Sequence, residues 1–179
     1  MFIKGSDVVG LPVICVDNGC KSLDIKDIVF CNQNLQVLAL LVDEGGFFHG
    51  AKVIPFSRIM HIGQNMITIE SSNCIETADH ALDNVHMTNT RGSLIGHDVI
   101  SEIGNSVGSL RDIVFDKHSG KIVGVILTEG LFSDFLVGRP IVPVSEYIDL
   151  KRETIIISKS QSDQIIYNTG GLKKLLALE

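Results

Sequence analysis

The stretch KDIVFCNQNLQVLALLVDEG, residues 26–45, is answered further along the chain by RDIVFDKHSGKIVGVILTEG, residues 111–130. At a constant offset of 85, six of the twenty positions are identical. Ile28, Val29, Phe30, Val37, Leu38, Leu40, Leu41 and Val42 each meet an apolar residue in the second copy. The likeness resumes between 53–71 and 141–159 at an offset of 88, where Pro55 matches Pro143, Ser57 matches Ser145, and Ile67 and Ile69 match Ile155 and Ile157. An apolar pattern shared over so long a span means two copies of one small fold. The 179 residues therefore divide into two units of roughly 70–80 residues. The first copy is expected at 1–71, a linker at 72–90, the second copy at 91–158 and a C-terminal docking segment at 159–179.

Each copy carries the same series of β signals. A glycine-led alternation (Val8 to Ile14; Leu94 to Ile100) precedes a turn rich in Gly, Asn and Asp, then the strands Asp27–Phe30 and Asp112–Phe115. His118-Ser119-Gly120 lies between two β-branched runs, the layout of a tight hairpin. Val37–Val42 and Ile122–Leu127 are nearly continuous apolar runs, which implies burial on both faces. Ala39 and Gly124 hold one place in that strand, where a small residue allows a close approach or a bend. The proline in VIPFSRI and IVPVSEYI fits a strand edge or start. So many short strands in so few residues cannot hide their apolar faces as a flat sheet, and a small barrel is the natural closure. The fold class expected is all-β: two tandem small β-barrels, a short linker with a helix around Thr77–Val85, and a short C-terminal helical segment in LKKLLALE (172–179).

Hydrophobic residues make up 45% and charged residues 20% of the chain, ordinary for a globular protein. No apolar run approaches the ~18 residues of a membrane span, and the N-terminus lacks a signal-peptide layout; a cytoplasmic location is expected. Cys15, Cys20, Cys31 and Cys74 have no counterparts in the second copy, so reduced, mostly buried thiols are expected rather than a disulfide framework. The net charge is −6 and neither half presents a basic stripe, which disfavours nucleic-acid binding through phosphate neutralisation.

The matched segments resemble the PRC-barrel family. The second copy shows this most plainly, as EIGNSVGSLRDIVFDKHSGKIVGVILTEG (102–130) followed by IVPVSEYIDL (141–150). The first copy departs from the pattern. It has Lys21, Ser22 or Leu23 where the second has Gly108, and Leu35 where the second has Gly120, so its turns are expected to be more irregular. The resemblance implies a small β-barrel, known from the cytoplasmic domain of the photosynthetic reaction-centre H subunit and from the C-terminal domain of a ribosome-maturation factor. In both it is a docking and assembly module, and the family supplies no catalytic residues.

Candidate chemistry is sparse. Glu44-Gly45 and Glu129-Gly130 hold equivalent positions, each followed by phenylalanines (Phe47, Phe48; Phe132, Phe135). Glu44, Phe47, Phe48, Glu129, Phe132 and Phe135 are thus candidate partner-facing loop residues, weighed against a turn whose glycine takes a positive φ. Asp27 and Asp112 coincide but belong to separate copies, which favours a repeated structural hydrogen bond over acid–base work. Cys74, His80, Asp83 and His86 cluster in the linker, but His80 and His86 are six residues apart, off one helical face. No GxSxG or P-loop is present. We therefore expect no metal, no cofactor and no enzymatic activity. The expected function is a protein–protein adaptor with an unknown protein partner, or self-association. The alternatives are a ribosome- or RNA-maturation factor binding a ribosomal protein, and a small-ligand or metal-binding protein using a cleft between the barrels.

Overall fold

The computed structural model describes residues 1–46, 50–78, 87–89 (backbone only), 94–128, 139–144 and 154–166. In the first copy the strands are β1 (Phe2–Lys4), β2 (Pro12–Cys15), β3 (Lys21–Asp24), β4 (Asp27–Cys31), β5 (Gln36–Asp43), β6 (Lys52–Pro55), β7 (Ile59–Ile62), β8 (Ile67–Ile69) and β9 (Glu76–Thr77). The second copy brings β10 (Met87–Asn89), β11 (Asp98–Ser101), β12 (Ser106–Asp116), β13 (Ile122–Thr128), β14 (Ile141–Pro143) and β15 (Thr154–Ile157). One-turn helices α1 (Gly5–Val8) and α2 (Lys159–Asp163) complete the described elements, with 3-10 turns at Phe56–Arg58 and Ser72–Cys74.

Within each copy the repeated segments behave as their pattern dictates. β4 pairs antiparallel with β5, and β12 with β13; β5 continues to β6, and β13 to β14. Each unit also holds one parallel pair: Val13 of β2 opposes Ile67 of β8, and Val99 of β11 opposes Ile155 of β15. Ala39 opposes Pro55, and Gly124 opposes Pro143. The apolar runs are buried on both faces, as their composition demands: Leu38 apart, every residue from Val37 to Val42 is buried, as is every residue from Ile122 to Leu127 except Val123.

The hydrogen-bonded ladders do not close into rings among the described residues. They form sheets of six, five and four strands. The expected strand VIPFSRI breaks after Pro55 into a 3-10 turn and restarts as β7, because proline has no N–H to continue the ladder. The first copy also splits between β3 and β4, whereas β12 runs unbroken for 11 residues through Gly108 at φ +130°. A glycine can take that bend inside a strand. Leu23 stands at the matching position of the first copy, which departs from the pattern there.

The two copies exchange strands. β1, the leading strand of the first copy, pairs with β12 of the second (Phe2 with Asp116, Lys4 with Val114). β10, the leading strand of the second copy, pairs with β4 of the first (Met87 with Cys31, Asn89 with Val29). All four residue pairs map onto one another at the offset of 85, so the exchange is reciprocal. The same symmetry holds at the hairpins. Gln36 and Lys121, equivalent residues, form a β-bridge across the copies. The Val37 N–H donates to the Gly120 carbonyl (2.9 Å), and the Ile122 N–H donates to the Leu35 carbonyl (2.8 Å). This is an isologous seam of the kind a twofold homodimer makes, here within one chain. The core follows: its main cluster of buried side chains runs from Val8, Val13 and Phe30 to Phe115, Val125 and Ile157, beside a smaller cluster in each copy (Val29, Ala39, Leu41 and Val53; Val114, Ile126 and Ile141).

The seam also revises the expected linker and tail. Residues 72–90 begin with a 3-10 turn and β9, which pairs with β6 at Val53. They end in β10; of the helix expected around Thr77–Val85, Thr77 is strand, Ala78 is helical and 79–85 lie outside the described residues. After β15 the tail repeats this course. α2 turns the chain so that Ile166 bridges Ile141, the residue equivalent to Val53. α2 starts with a capping box: the Ser158 hydroxyl accepts from the Gln161 N–H, and the Gln161 side chain accepts from the Ser158 N–H. The segment LKKLLALE lies outside the described residues.

Candidate functional site

Of the expected partner-facing residues, Glu44 is described and exposed; Phe47, Phe48, Glu129, Phe132 and Phe135 lie outside the described residues. Glu44 sits in a turn in which Gly45 has φ +80° and donates its N–H to Asp43 Oδ1 at 3.0 Å. That is the turn chemistry a glycine at this place permits.

Asp27 and Asp112 do repeat a structural bond. Asp27 Oδ1 accepts from the Ile28 N–H at 2.7 Å, and Asp112 Oδ1 from the Ile113 N–H at 2.8 Å. Asp112 also reaches across the seam, accepting the Ser6 N–H of α1 on both carboxylate oxygens (3.1 and 3.2 Å). It thus ties the first turn after the exchanged β1 to the sheet that β1 joins. Gly5 makes the approach possible, since a Cβ there would come within 2.9 Å of Asp112 Oδ1 and 3.2 Å of Ile28 Cδ1. Removing the carboxylate with Asp112→Ala should lower stability by about 1 kcal/mol. Urea unfolding checks it, and no change would mean that water replaces the carboxylate at no cost.

A second anchor lies at the other end of β1. Asp116 Oδ2 is 2.6 Å from the Met1 ammonium, while Oδ1 accepts from the backbone N–H groups of Ser119 (2.8 Å) and His118 (3.0 Å) and from the Ser119 hydroxyl. These donors, the ammonium foremost, hold the Asp116 carboxyl well below the usual carboxylate range. A depressed folded value means that the stabilisation is fully present above the unfolded carboxylate value, near 4, and fades as pH falls below it. Asp116→Asn should therefore cost about 1–2 kcal/mol at pH 7, with the gap to wild type narrowing in melts taken down to about pH 3. A gap that widens on acidification would contradict this.

Between α1 and the second copy's sheet the seam leaves a cleft of about 280 Å³, lined by Gly5, Ser6, Ile95, Arg111, Asp112 and Arg139 among others. A smaller groove of about 100 Å³ lies between β7 and the β12–β13 turn, with Phe56, His61, Lys117 and His118 on its walls. Both clefts are made by the two copies together, which no motif within one copy could announce. The Lys117 ammonium donates to the Ile62 carbonyl at 3.4 Å there.

Among the described residues no three metal-ligating side chains cluster, and His80, Asp83 and His86 lie outside those residues. Cys15, Cys31 and Cys74 are buried, Cys20 is exposed, and all four are free thiols. Burial first, then the neighbouring Asp17, pushes the Cys15 thiol up, away from the thiolate that reactivity needs. Among the described residues no helix is long and apolar enough to cross a membrane.

No curated relative matches the chain. A family comparison matches the PRC-barrel domain twice, over residues 1–73 and 89–164. The second match begins inside β10, and together the two take in both exchanged sheets and most of the tail that repeats the β9 course. The chain belongs to the PRC-barrel family, as a tandem of two such domains.

Proposed function

We propose that this chain is a non-enzymatic assembly adaptor, which uses its paired PRC domains as one rigid platform for a protein partner. The observation that supports the reading most is the outer surface at the end of each parallel strand pair. Val16, just past β2, is 55% exposed, and Ile103, just past β11, is 76% exposed. Ile156 of β15, 47% exposed, stands in register with Ile100 of β11. Side chains this exposed contribute little to their own fold, whereas covering them would contribute about 25 cal/mol per Å². Single exposed apolar residues are common; two isoleucines near one strand end, on a platform held by the seam, offer the start of a patch.

The test is affinity isolation from the native host with wild type and with the double variant Ile103→Lys/Ile156→Lys. A partner recovered at constant stoichiometry by wild type and lost by the variant, with both melting alike, supports the reading. Recovery of nothing above background, or equal recovery by the variant, counts against it.

A further inference from the structure

We propose that Cys15 and Cys20 form a reversible disulfide across the turn between β2 and β3, made by exchange with a low-molecular-weight disulfide such as oxidised glutathione. This goes beyond the adaptor reading and does not depend on it.

Three observations carry the inference. The first is the pairing of the hairpin. The Cys15 N–H donates to the Cys20 carbonyl at 3.0 Å, and the turn closes as the Gly19 N–H donates to the Cys15 carbonyl at 2.8 Å. Gly19, at φ +66°, supplies the left-handed residue that this turn needs. The Cys20 N–H is held by Asn18 Oδ1 at 2.8 Å. Residues opposed in this way have Cα atoms about 5.5 Å apart, inside the roughly 4.4–6.8 Å that a disulfide spans.

The second is the face on which the two thiols lie. The neighbouring pair, Ile14 with Lys21, belongs to the outer face, where Lys21 is exposed and bonds Asp24 at 2.9 Å. Side chains alternate along a strand, so Cys15 and Cys20 share the inner face. Cys15 is buried there, Cys20 at the open end of the hairpin is exposed, and both are free thiols.

The third is the equivalent turn of the second copy. Cys15 stands in register with Ile69, and Ser101 with Ile157. The Ser101 N–H donates to the Asn105 carbonyl at 2.9 Å, as Cys15 does to Cys20. There the side chain of the buried residue reaches its partner, because Ser101 Oγ accepts from the Asn105 N–H at 3.1 Å. Where the second copy ties its strands with a hydroxyl, the first copy holds two thiols.

Cys20, the accessible thiol, reacts first. As a thiolate it attacks the disulfide RSSR, forms Cys20–S–S–R and releases RS⁻. Cys15 then gives its proton to water, attacks the Cys20 sulfur and releases the second RS⁻. The leaving thiolates take up the two protons, so two cysteines and RSSR become one protein disulfide and two RSH. Burial, then Asp17, pushes the Cys15 thiol up, which suits it to the second, intramolecular step. Excess RSH reverses the sequence. The bond would fix the turn that carries the exposed Val16.

The experiment uses the full chain in oxidised glutathione, followed by denaturing alkylation, trypsin and mass spectrometry without reductant. Cleavage after Lys4 and Lys21 puts both cysteines in one peptide, 5–21. We expect that peptide to lose two hydrogens and to take no alkyl group, and dithiothreitol to restore both thiols. Cys15→Ser, which places at 15 the residue found at 101, should stop at a stable Cys20–glutathione adduct. Cys20→Ser, an exposed change, should leave Cys15 unmodified, and Cys74→Ser should behave as wild type. In a glutathione redox buffer the disulfide-to-dithiol ratio of the pair should be at least about tenfold higher for the folded chain than in urea. A wild-type chain that stops at the glutathione adduct, or that joins Cys15 to Cys74, would overturn the proposal. So would a ratio in the folded chain equal to or below that in urea.

Discussion

Replacing Phe115 by alanine should lower the unfolding free energy by about 3–5 kcal/mol. The ring is fully buried and lies edge-on to Phe56 of the other copy, with ring centroids 6.3 Å apart. The loss therefore combines apolar transfer, a cavity and an aromatic contact. The shape of the transition is as informative as its midpoint. One core cluster takes in both copies, and each copy supplies a strand to the other's sheet. Urea unfolding followed by far-UV circular dichroism should show one cooperative step, moved as a whole to lower denaturant. Two steps, with only the second copy's shifted and the first copy's left at the wild-type midpoint, would refute the shared core. Phe30→Ala, the equivalent substitution in the first copy and equally buried, should shift the same single step.

That coupling bears on what the tandem arrangement is for. Domains of 70–80 residues bury a modest fraction of their chain surface and are marginal alone. Here the seam merges two marginal cores into one. The leading strands tie each copy to its sibling, so neither sheet is complete without the other chain half. A platform of this kind holds the outer turns at Val16 and Ile103 in fixed relation, and it creates the arginine-lined cleft, which a single copy would lack.

How far the sequence anticipated this depends on what kind of signal each feature leaves. The doubled segment, the strands read at Asp27–Phe30 and Ile122–Leu127, each within one residue of the observed end, and the hairpin at His118-Ser119-Gly120 were legible because periodicity and turn chemistry are local. The exchange of β1 and β10 was not. Equivalent strands present the same backbone edge, so pattern alone cannot say whether Ile3 pairs within its own copy or with Phe115. The likeness of linker to tail was hidden because a 3-10 turn at Ser72–Cys74 and a helix at Lys159–Asp163 reach the same place with different residues. A local cue was present there: Ser158 to Gln161 is a capping-box spacing. The cleft was invisible for the same reason as the exchange. Arg111 and Arg139 are 28 positions apart, and what brings them to Ser6 is the pairing of β1 with β12.

Gly120→Val should rank beside Phe115→Ala, costing about 2–5 kcal/mol through two separable effects. Gly120 has φ +74°, a conformation that a β-branched residue hardly adopts. A Cβ at this position would also lie 2.8 Å from Gln36 Nε2 and 3.0 Å from the Phe56 ring. Both neighbours belong to the other copy, and the Gly120 carbonyl receives the Val37 N–H across the seam. The first copy shows that the backbone conformation is required there, since its equivalent, Leu35, is held at φ +52° although it is no glycine. Leu35 is compensated by burial in the core at 6% exposure, whereas a side chain at 120 would strike Phe56. A graded series separates the effects: asparagine, which tolerates positive φ, should cost less than valine through strain, and alanine should show the smallest clash. Stability should fall from glycine to valine with asparagine and alanine between, measured by the same single urea transition. A valine variant as stable as wild type would mean that the seam yields at Phe56, and the isologous contact would then not be what holds the two copies together.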